Sequence, residues 1–316
     1  MNAYQSNGPA SMNVLPTTIP AYLEQLRRSL AGADPALIQD ALYDAEEYLR
    51  SELAENPGRN EAEVIAAVAG SYGAPDEVAD IYRDTEVKVQ SALRTPPTRP
   101  AGANRSWFSR FFGVIAEPRT YAALFYMLLS LATGIFFFTW VVTGVSLSAG
   151  LAVLIIGIPF VILYFGSVRV LSLVEGRIVE VMLGERMPRR PLYSTRGKPL
   201  LERIKELFTD PRIWATQLYF LLMLPLGIAY FTVAVTGLAT SLGLIAAPVA
   251  ALFGEFNGGL WVDEIHMVGV DGWWALPLCF IVGVVLLFAT LHLARGVGHL
   301  HGQLAKHMLV KTAQHD

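Results

Sequence analysis

Charge is scarce in this chain. Asp, Glu, Lys and Arg make up 16% of its 316 residues, against about 25% in an ordinary soluble domain. Hydrophobic residues make up 53%. That balance excludes an intrinsically disordered chain and a basic protein that binds nucleic acid directly. The single cysteine, Cys279, excludes an internal disulfide framework. Residues 1–17 are polar and lack a basic region followed by an apolar one, so no cleaved export signal is expected there. No Gly-x-x-x-x-Gly-Lys-Ser/Thr loop, no His-Glu-x-x-His and no serine nucleophile elbow occurs. A glycine-rich ATP-lid loop and a phosphoacceptor histidine on a cytoplasmic helix pair are missing too. The expectation is a non-enzymatic chain with no catalytic residue, metal site or cofactor.

What charge there is falls unevenly. Residues 1–92 hold 15 acids and 6 bases, net −9, and residues 93–316 hold 12 acids and 18 bases, net +6. The pattern is an acidic head on a basic-flanked membrane body. Residues 1–17 read as a flexible tail. Helical periodicity starts near Pro20 with Leu23, Leu26 and Leu30. Asp34-Pro35 reads as an N-cap with proline at the first helical position, opening a helix with Ile38, Ala41, Leu42, Ala45, Leu49 and Leu53 on one stripe. Asn60 and Glu63 suggest a capping box for a short helix through Ala67, broken by Gly70 and Gly73. Pro75 starts a last helix containing Val78, Ile81 and Tyr82.

Leu-x-x-Leu in the first helix, the acidic second helix and the turn Ser71-Tyr72-Gly73-Ala74-Pro75-Asp76-Glu77-Val78-Ala79 carry a resemblance. Residues 18–92 resemble the HAAS-type helical signalling domain of bacteria, with tyrosine at 72 where the family usually has leucine. Residues 93–104 hold Pro96, Pro97, Pro100 and Gly102 and read as a stiffened linker. Trp107, Phe108, Phe111 and Phe112, with Arg105 and Arg110 among them, suit a helix at the membrane interface.

Three long runs carry no charge: 49 positions after Arg119, 42 after Arg212 and 23 from Gly272 to Ala294. A span needs about 20 apolar residues. The first run therefore holds two helices with a turn near Thr143–Ser148, the third holds one, and the second is ambiguous. An internal repeat decides it. At an offset of 93, Glu117-Pro118-Arg119 aligns with Asp210-Pro211-Arg212, Tyr126 with Tyr219, Gly134 with Gly227 and Gly144 with Gly237. Later the offset becomes 126, aligning Gly157 with Gly283, Arg169 with Arg295 and Gly176 with Gly302. Each copy is two spans and an amphipathic helix: repeat 1 over 105–184 with its interfacial helix, and repeat 2 over 210–310. A basic linker, 185–209, joins them; residues 311–316 form a tail. The second copy carries an insertion near 245–277, and Ser241–Leu252 is expected as a half-length segment at the membrane edge. The fold class is all-α: a small helical domain plus four transmembrane helices in two parallel repeats. In each copy the acid is expected to cap the helix that its proline opens.

Lysine and arginine crowd the segment between Arg169 and Arg212 and are missing from the other two loops. That places both termini and the basic linker on the cytoplasmic side of a bacterial inner membrane. Gly134-Ile135-Phe136-Phe137-Phe138, Val142-Thr143-Gly144, Gly157-Ile158-Pro159 and Val174-Glu175-Gly176-Arg177 carry a second resemblance, echoed in Leu226-Gly227-Ile228-Ala229-Tyr230-Phe231. Residues 110–310 resemble a bacterial transmembrane sensor family associated with histidine kinases. The resemblance implies a sensing role.

Candidate sites are few. In the insertion, Trp261, Asp263, Glu264, His266 and Asp271 offer oxygen and imidazole donors for a cation or a basic ligand; the plainer reading is a solvated loop anchored by its tryptophans. In the head, Asp40, Asp44 and Glu47 form an acidic stripe for a basic partner, or simply a solvated face. Thr139, Thr143, Thr232 and Thr236 sit near glycines and either pack helices or line a central pocket. Four histidines fall along the last helix, read mainly as partly exposed interfacial side chains. No charged residue falls within a span as bounded here, which argues against an ion-coupled transporter. The sequence thus points to a membrane sensor or signalling tether in contact with the lipid bilayer. Its expected partners are a cytoplasmic transcription regulator, a kinase or an ABC-type transporter, with a homo-oligomer open. A transport-associated subunit or small-solute carrier is the alternative.

Overall fold

The computed structural model describes residues 16–93, 111–151, 157–190, 205, 208–253, 259–262, 265–269 and 274–310. It divides into two compact units, residues 1–89 with 190–203 and 313–316, and residues 90–189 with 204–312.

The first unit is built on α1 (Ile19–Ser29), α2 (Pro35–Glu55), α3 (Glu61–Ser71) and α4 (Pro75–Leu93). Each start has a local cause. Thr18 Oγ1 accepts from Ala21 N–H, Asp34 from Ala36 N–H at 2.9 Å, and Asn60 from Glu63 N–H at 2.8 Å. These bonds satisfy amides that a helix leaves orphaned. The third helix runs past Gly70 to Ser71 and stops at Gly73, whose φ of +117° no residue with a side chain adopts comfortably. Tyr22, Leu26, Leu30, Ala41, Ala45, Leu49, Ile65 and Val68 close the core. The Tyr22 hydroxyl donates to the Gly73 carbonyl at 2.8 Å and pins that turn. Tyr72 stacks on Tyr48 with ring centroids 4.6 Å apart, so the tyrosine does apolar packing.

The second unit comprises α5 (Pro118–Leu151), α6 (Gly157–Leu183), α7 (Pro211–Leu252) and α8 (Ala275–Leu309), all four long and apolar enough to cross a membrane. The expected turn near 143–148 is absent, because α5 continues unbroken to Leu151. Ser241–Leu252 is likewise the end of α7, a 42-residue helix carrying Pro225 and Pro248 within it. The amphipathic helices expected after the second span of each copy are continuous with α6 and α8. Between α7 and α8, β1 (Gly259–Val262) and β2 (Ile265–Gly269) pair antiparallel, with a register irregularity between Leu260 and Trp261. This hairpin in the insertion holds the two strands found among the described residues.

Glycines show why the repeat packs as it does. A Cβ on Gly134 of α5 would collide with the Met223 carbonyl of α7, and one on Gly227 of α7 with the Ser130 carbonyl of α5. Those pairs are each other's counterparts at the offset of 93, as a twofold relation requires. Gly144 faces Tyr164, and Gly237 faces Thr290, the counterpart of Tyr164 at the offset of 126. Tyr121 donates to the Ile115 carbonyl at 2.8 Å, and its counterpart Trp214 to the Phe208 carbonyl at 3.1 Å. Small residues at such crossings let backbones approach closely, which is what holds helices together in lipid.

The copies differ at their starts. Asp210 caps α7 by accepting from Arg212 N–H at 3.1 Å. Glu117 instead turns its carboxylate to Arg295 of α8 at 2.8 Å, so the expected cap becomes an interhelical ion pair. Phe111 and Phe112 pack on Phe288 at centroid distances of 5.4 and 4.7 Å, and Phe112 remains exposed. Trp107 and Phe108 lie outside the described residues.

Candidate functional site

Glu175 of α6 is completely buried. Its Oε1 accepts from the hydroxyls of Tyr126 of α5 at 2.8 Å and Tyr219 of α7 at 3.0 Å. The same two hydroxyls lie 2.6 and 3.0 Å from Nε2 of His301 of α8, itself 1% exposed. Tyr230 stands 3.4 Å from His301 Nδ1. All four long helices thus meet in one polar knot. With Glu175 ionised, one proton assignment uses every contact. Both tyrosines donate to Oε1, the imidazole donates through Nε2, and Tyr230 donates to Nδ1. Glu175 Oε2 has no hydrogen-bond partner in the structure.

The composition of the knot follows the repeat. Tyr126 and Tyr219 are counterparts at the offset of 93, and Glu175 and His301 at the offset of 126. One symmetric position therefore holds an acid in one copy and an imidazole in the other. At 1.5 Å per residue the two tyrosines sit about 12 Å along their helices from the prolines that open them. The knot is an ionisable centre inside candidate spans. The sequence reading placed no charge there, because it ended each span at the first arginine. Glu175 and Arg169 both belong to α6. The signal that would have found the knot was the repeat itself, extended to positions where residue types differ.

Below the knot, Glu180 is 2% exposed and faces Arg177, Arg186 at 3.6 Å and Arg189 at 3.5 Å. The start of the basic linker is therefore paired, and Met187 beside it is fully buried.

The other expected residues fare differently. Within the first unit, Asp40 Oδ1 accepts from the Arg190 amide at 2.8 Å, Asp44 pairs with the Arg190 guanidinium at 2.8 Å, and Gln39 donates to the Arg190 carbonyl at 2.9 Å. Asp44 also accepts from Tyr82 at 2.9 Å. Asp40 is buried, so this stripe is not simply a solvated face. Glu47 lies one turn further along α2 and bonds to Tyr43, whose phenol is raised in pKa by burial and by that carboxylate. Trp261 and His266 are register partners across the hairpin; Asp263, Glu264 and Asp271 lie outside the described residues. Thr139, Thr143, Thr232 and Thr236 are exposed. Of the histidines on α8, His301 is buried and His299 exposed, so they do not form one interfacial set.

The Sensor family model, described as Putative sensor, matches residues 126–309, and the HAAS family model matches residues 21–81. No curated protein and no solved structure gave a match. The two matched regions and the four apolar helices make this a signalling-related multi-pass membrane protein. The Sensor match spans more than half of the chain and takes in every member of the buried knot, and the chain belongs to the Sensor family.

Proposed function

We propose that this chain is a non-enzymatic sensor and signalling tether of the bacterial inner membrane, with both termini cytoplasmic. A stimulus in or beyond the bilayer changes how the two repeats pack, and the helical head passes the change to a cytoplasmic partner. The observation that carries this reading is the Glu175–Tyr126–Tyr219–His301 knot. It takes one residue from each long helix, so the repeats cannot shift without breaking its bonds, and its lone carboxylate oxygen leaves it poised rather than saturated. Packed cores with discrete arrangements are what turn small shifts into switches.

On the output side, the stripe of Asp40, Asp44 and Glu47 takes a basic segment of a transcription regulator, a kinase or an ABC-type transporter. The Arg190 guanidinium on Asp44, with the Arg190 amide on Asp40, supports this. The insertion, with Trp261, Asp263, Glu264, His266 and Asp271, is the proposed outer ligand surface. In-cell crosslinking and pull-down of the full chain, a form lacking residues 1–95 and Glu175→Gln tests the reading. One specific partner should be lost with the head and altered in yield by Glu175→Gln. Recovery of no head-dependent partner overturns it.

One observation favours a second reading, a small-solute carrier. An ionisable group buried in a span often marks an ion pathway, and Glu175 is such a group. Flux in proteoliposomes decides, since a sensor carries none.

A further inference from the structure

A cleft of about 1150 Å³ opens in the second unit, between the start of α5, the end of α6 and α8. It is somewhat larger than the roughly 300–1,000 Å³ of a small-molecule pocket. Six polar side chains line it: Glu117, Arg119, Glu185, His292, Arg295 and His299. Ala123, Leu183 and Ala289 form an apolar wall. Glu117, Arg119 and Ala123 stand at the start of α5, Leu183 and Glu185 at the end of α6, and Ala289, His292, Arg295 and His299 along the middle of α8, so that an apolar wall and a charged rim meet.

The rim carries both signs in balance. Arg295 pairs with Glu117 at 2.8 Å while remaining 57% exposed, and His299 stands 3.7 Å from Glu185. Exposed pairs of this kind cost little to share with a ligand. The Arg119 guanidinium lies over Gly184, where a Cβ would come within 3.1 Å of it, and Gly302 leaves room for the stem of Glu185. His292 is already committed, its Nε2 donating to the Phe111 carbonyl at 3.0 Å.

The repeat separates scaffold from specialisation. The acid-Pro-Arg start and the arginine on the second span occur in both copies and so belong to the scaffold that the copies share. The counterparts of His292, His299 and Glu185 are Gly166, Leu173 and Lys311. The first copy does without the two imidazoles and the second without the Glu185 carboxylate, so the packing that the copies share does not require these groups.

We infer that this cleft binds the headgroup of a zwitterionic phospholipid with a primary ammonium, phosphoethanolamine. Arg119 and Arg295 take the phosphodiester, since guanidinium forks match phosphate oxygens. Glu185 and Glu117 take the ammonium, and the alanine–leucine wall receives the first methylenes of the acyl chains. An anionic headgroup would leave the carboxylates facing it unmatched. This site is independent of the relay through the head.

The test uses the full chain in detergent with added dioleoyl phosphatidylethanolamine, phosphatidylcholine, phosphatidylglycerol or soluble glycerophosphoethanolamine. Thermal unfolding and the lipid retained in native mass spectrometry are read together. Phosphatidylethanolamine should raise the midpoint and remain bound at one per chain. Arg295→Gln and Gly296→Phe should each weaken it at least about tenfold. Gly296 is exposed, with open space where its Cβ would stand. Its replacement fills the cleft without touching the core, which keeps the test valid if Arg295→Gln folds poorly. Equal shifts from all three lipids overturn the inference, as does binding undiminished in Gly296→Phe. A preference for phosphatidylglycerol overturns the zwitterion, and an equal effect of the soluble compound overturns the lipid source.

Discussion

Glu175 is held by two phenols and lacks a charged partner in the knot, so its neighbours decide its fate. Removing one donor while the carboxylate stays buried leaves a desolvation cost of about 1–3 kcal/mol. Tyr219→Phe should therefore lower the unfolding midpoint of the full chain in detergent. Glu175→Gln, which keeps the shape and an acceptor oxygen, should cost less than Glu175→Leu; equal losses would mean that the carboxyl group contributes only volume. A second residue-scale prediction concerns Tyr22 and Tyr82 of the head. Burial raises both phenols above their ordinary value of 10.0, helped at Tyr82 by the Asp44 carboxylate. A group with a raised folded pKa contributes stability below its unfolded value and loses it as pH climbs past that value. The head should stay closed near pH 9 and loosen above about pH 10. Subtilisin digestion of residues 19–93 in the full chain at rising pH reads this out. Tyr82→Phe, having no proton to lose, should lessen the alkaline sensitivity, and an unchanged profile would assign it elsewhere. Neither role was legible in the sequence, since whether a phenol is buried depends on partners about 40 to 180 positions away.

At the scale of elements, caps and repeats were far more legible than ends. Asp34-Pro35, Asn60 with Glu63, and Pro75 each start a helix where local chemistry says one should. Helix ends were less so, because inside a bilayer nothing compels a helix to stop at a glycine or threonine. Intrahelical bonds satisfy the backbone better than any exposed turn. Hence α5 passes through Thr143–Ser148 and α7 passes through Ser241. The repeat offsets, in contrast, foretell contacts. Gly134 and Gly227 should be the least replaceable small residues in the body, each meeting a backbone carbonyl of the other helix. Gly134→Ala or Gly227→Ala should cost about 1–3 kcal/mol by overpacking. Gly166→Ala, with nothing within 4 Å of the added carbon, should be neutral or stabilising by about 0.5–1 kcal/mol. Thermal unfolding of the three variants compares them directly. Similar losses at all three positions would mean that glycine matters here for backbone freedom and not for close approach.

For the whole molecule, the repeat and the knot bear on a single point, namely that the membrane body is two similar halves joined across a shared interface. Copy 1 supplies Gly134, Ser130, Tyr126 and Glu175; copy 2 supplies Gly227, Met223, Tyr219 and His301. Covalent continuity between the halves is then dispensable once they have assembled. A protease site placed between Thr195 and Lys198, followed by cleavage of the purified protein, should leave residues 1–195 and 198–316 together through size exclusion in mild detergent. The knot makes the sharper demand. Glu175→Leu removes the acceptor of two buried hydroxyls at the seam, each costing about 1–3 kcal/mol. The cleaved Glu175→Leu protein should then separate into halves under conditions where the cleaved native protein does not. Separation of both would mean that the linker holds the body together; retention of both would place the affinity in the glycine crossings and leave the knot free to rearrange when a signal arrives.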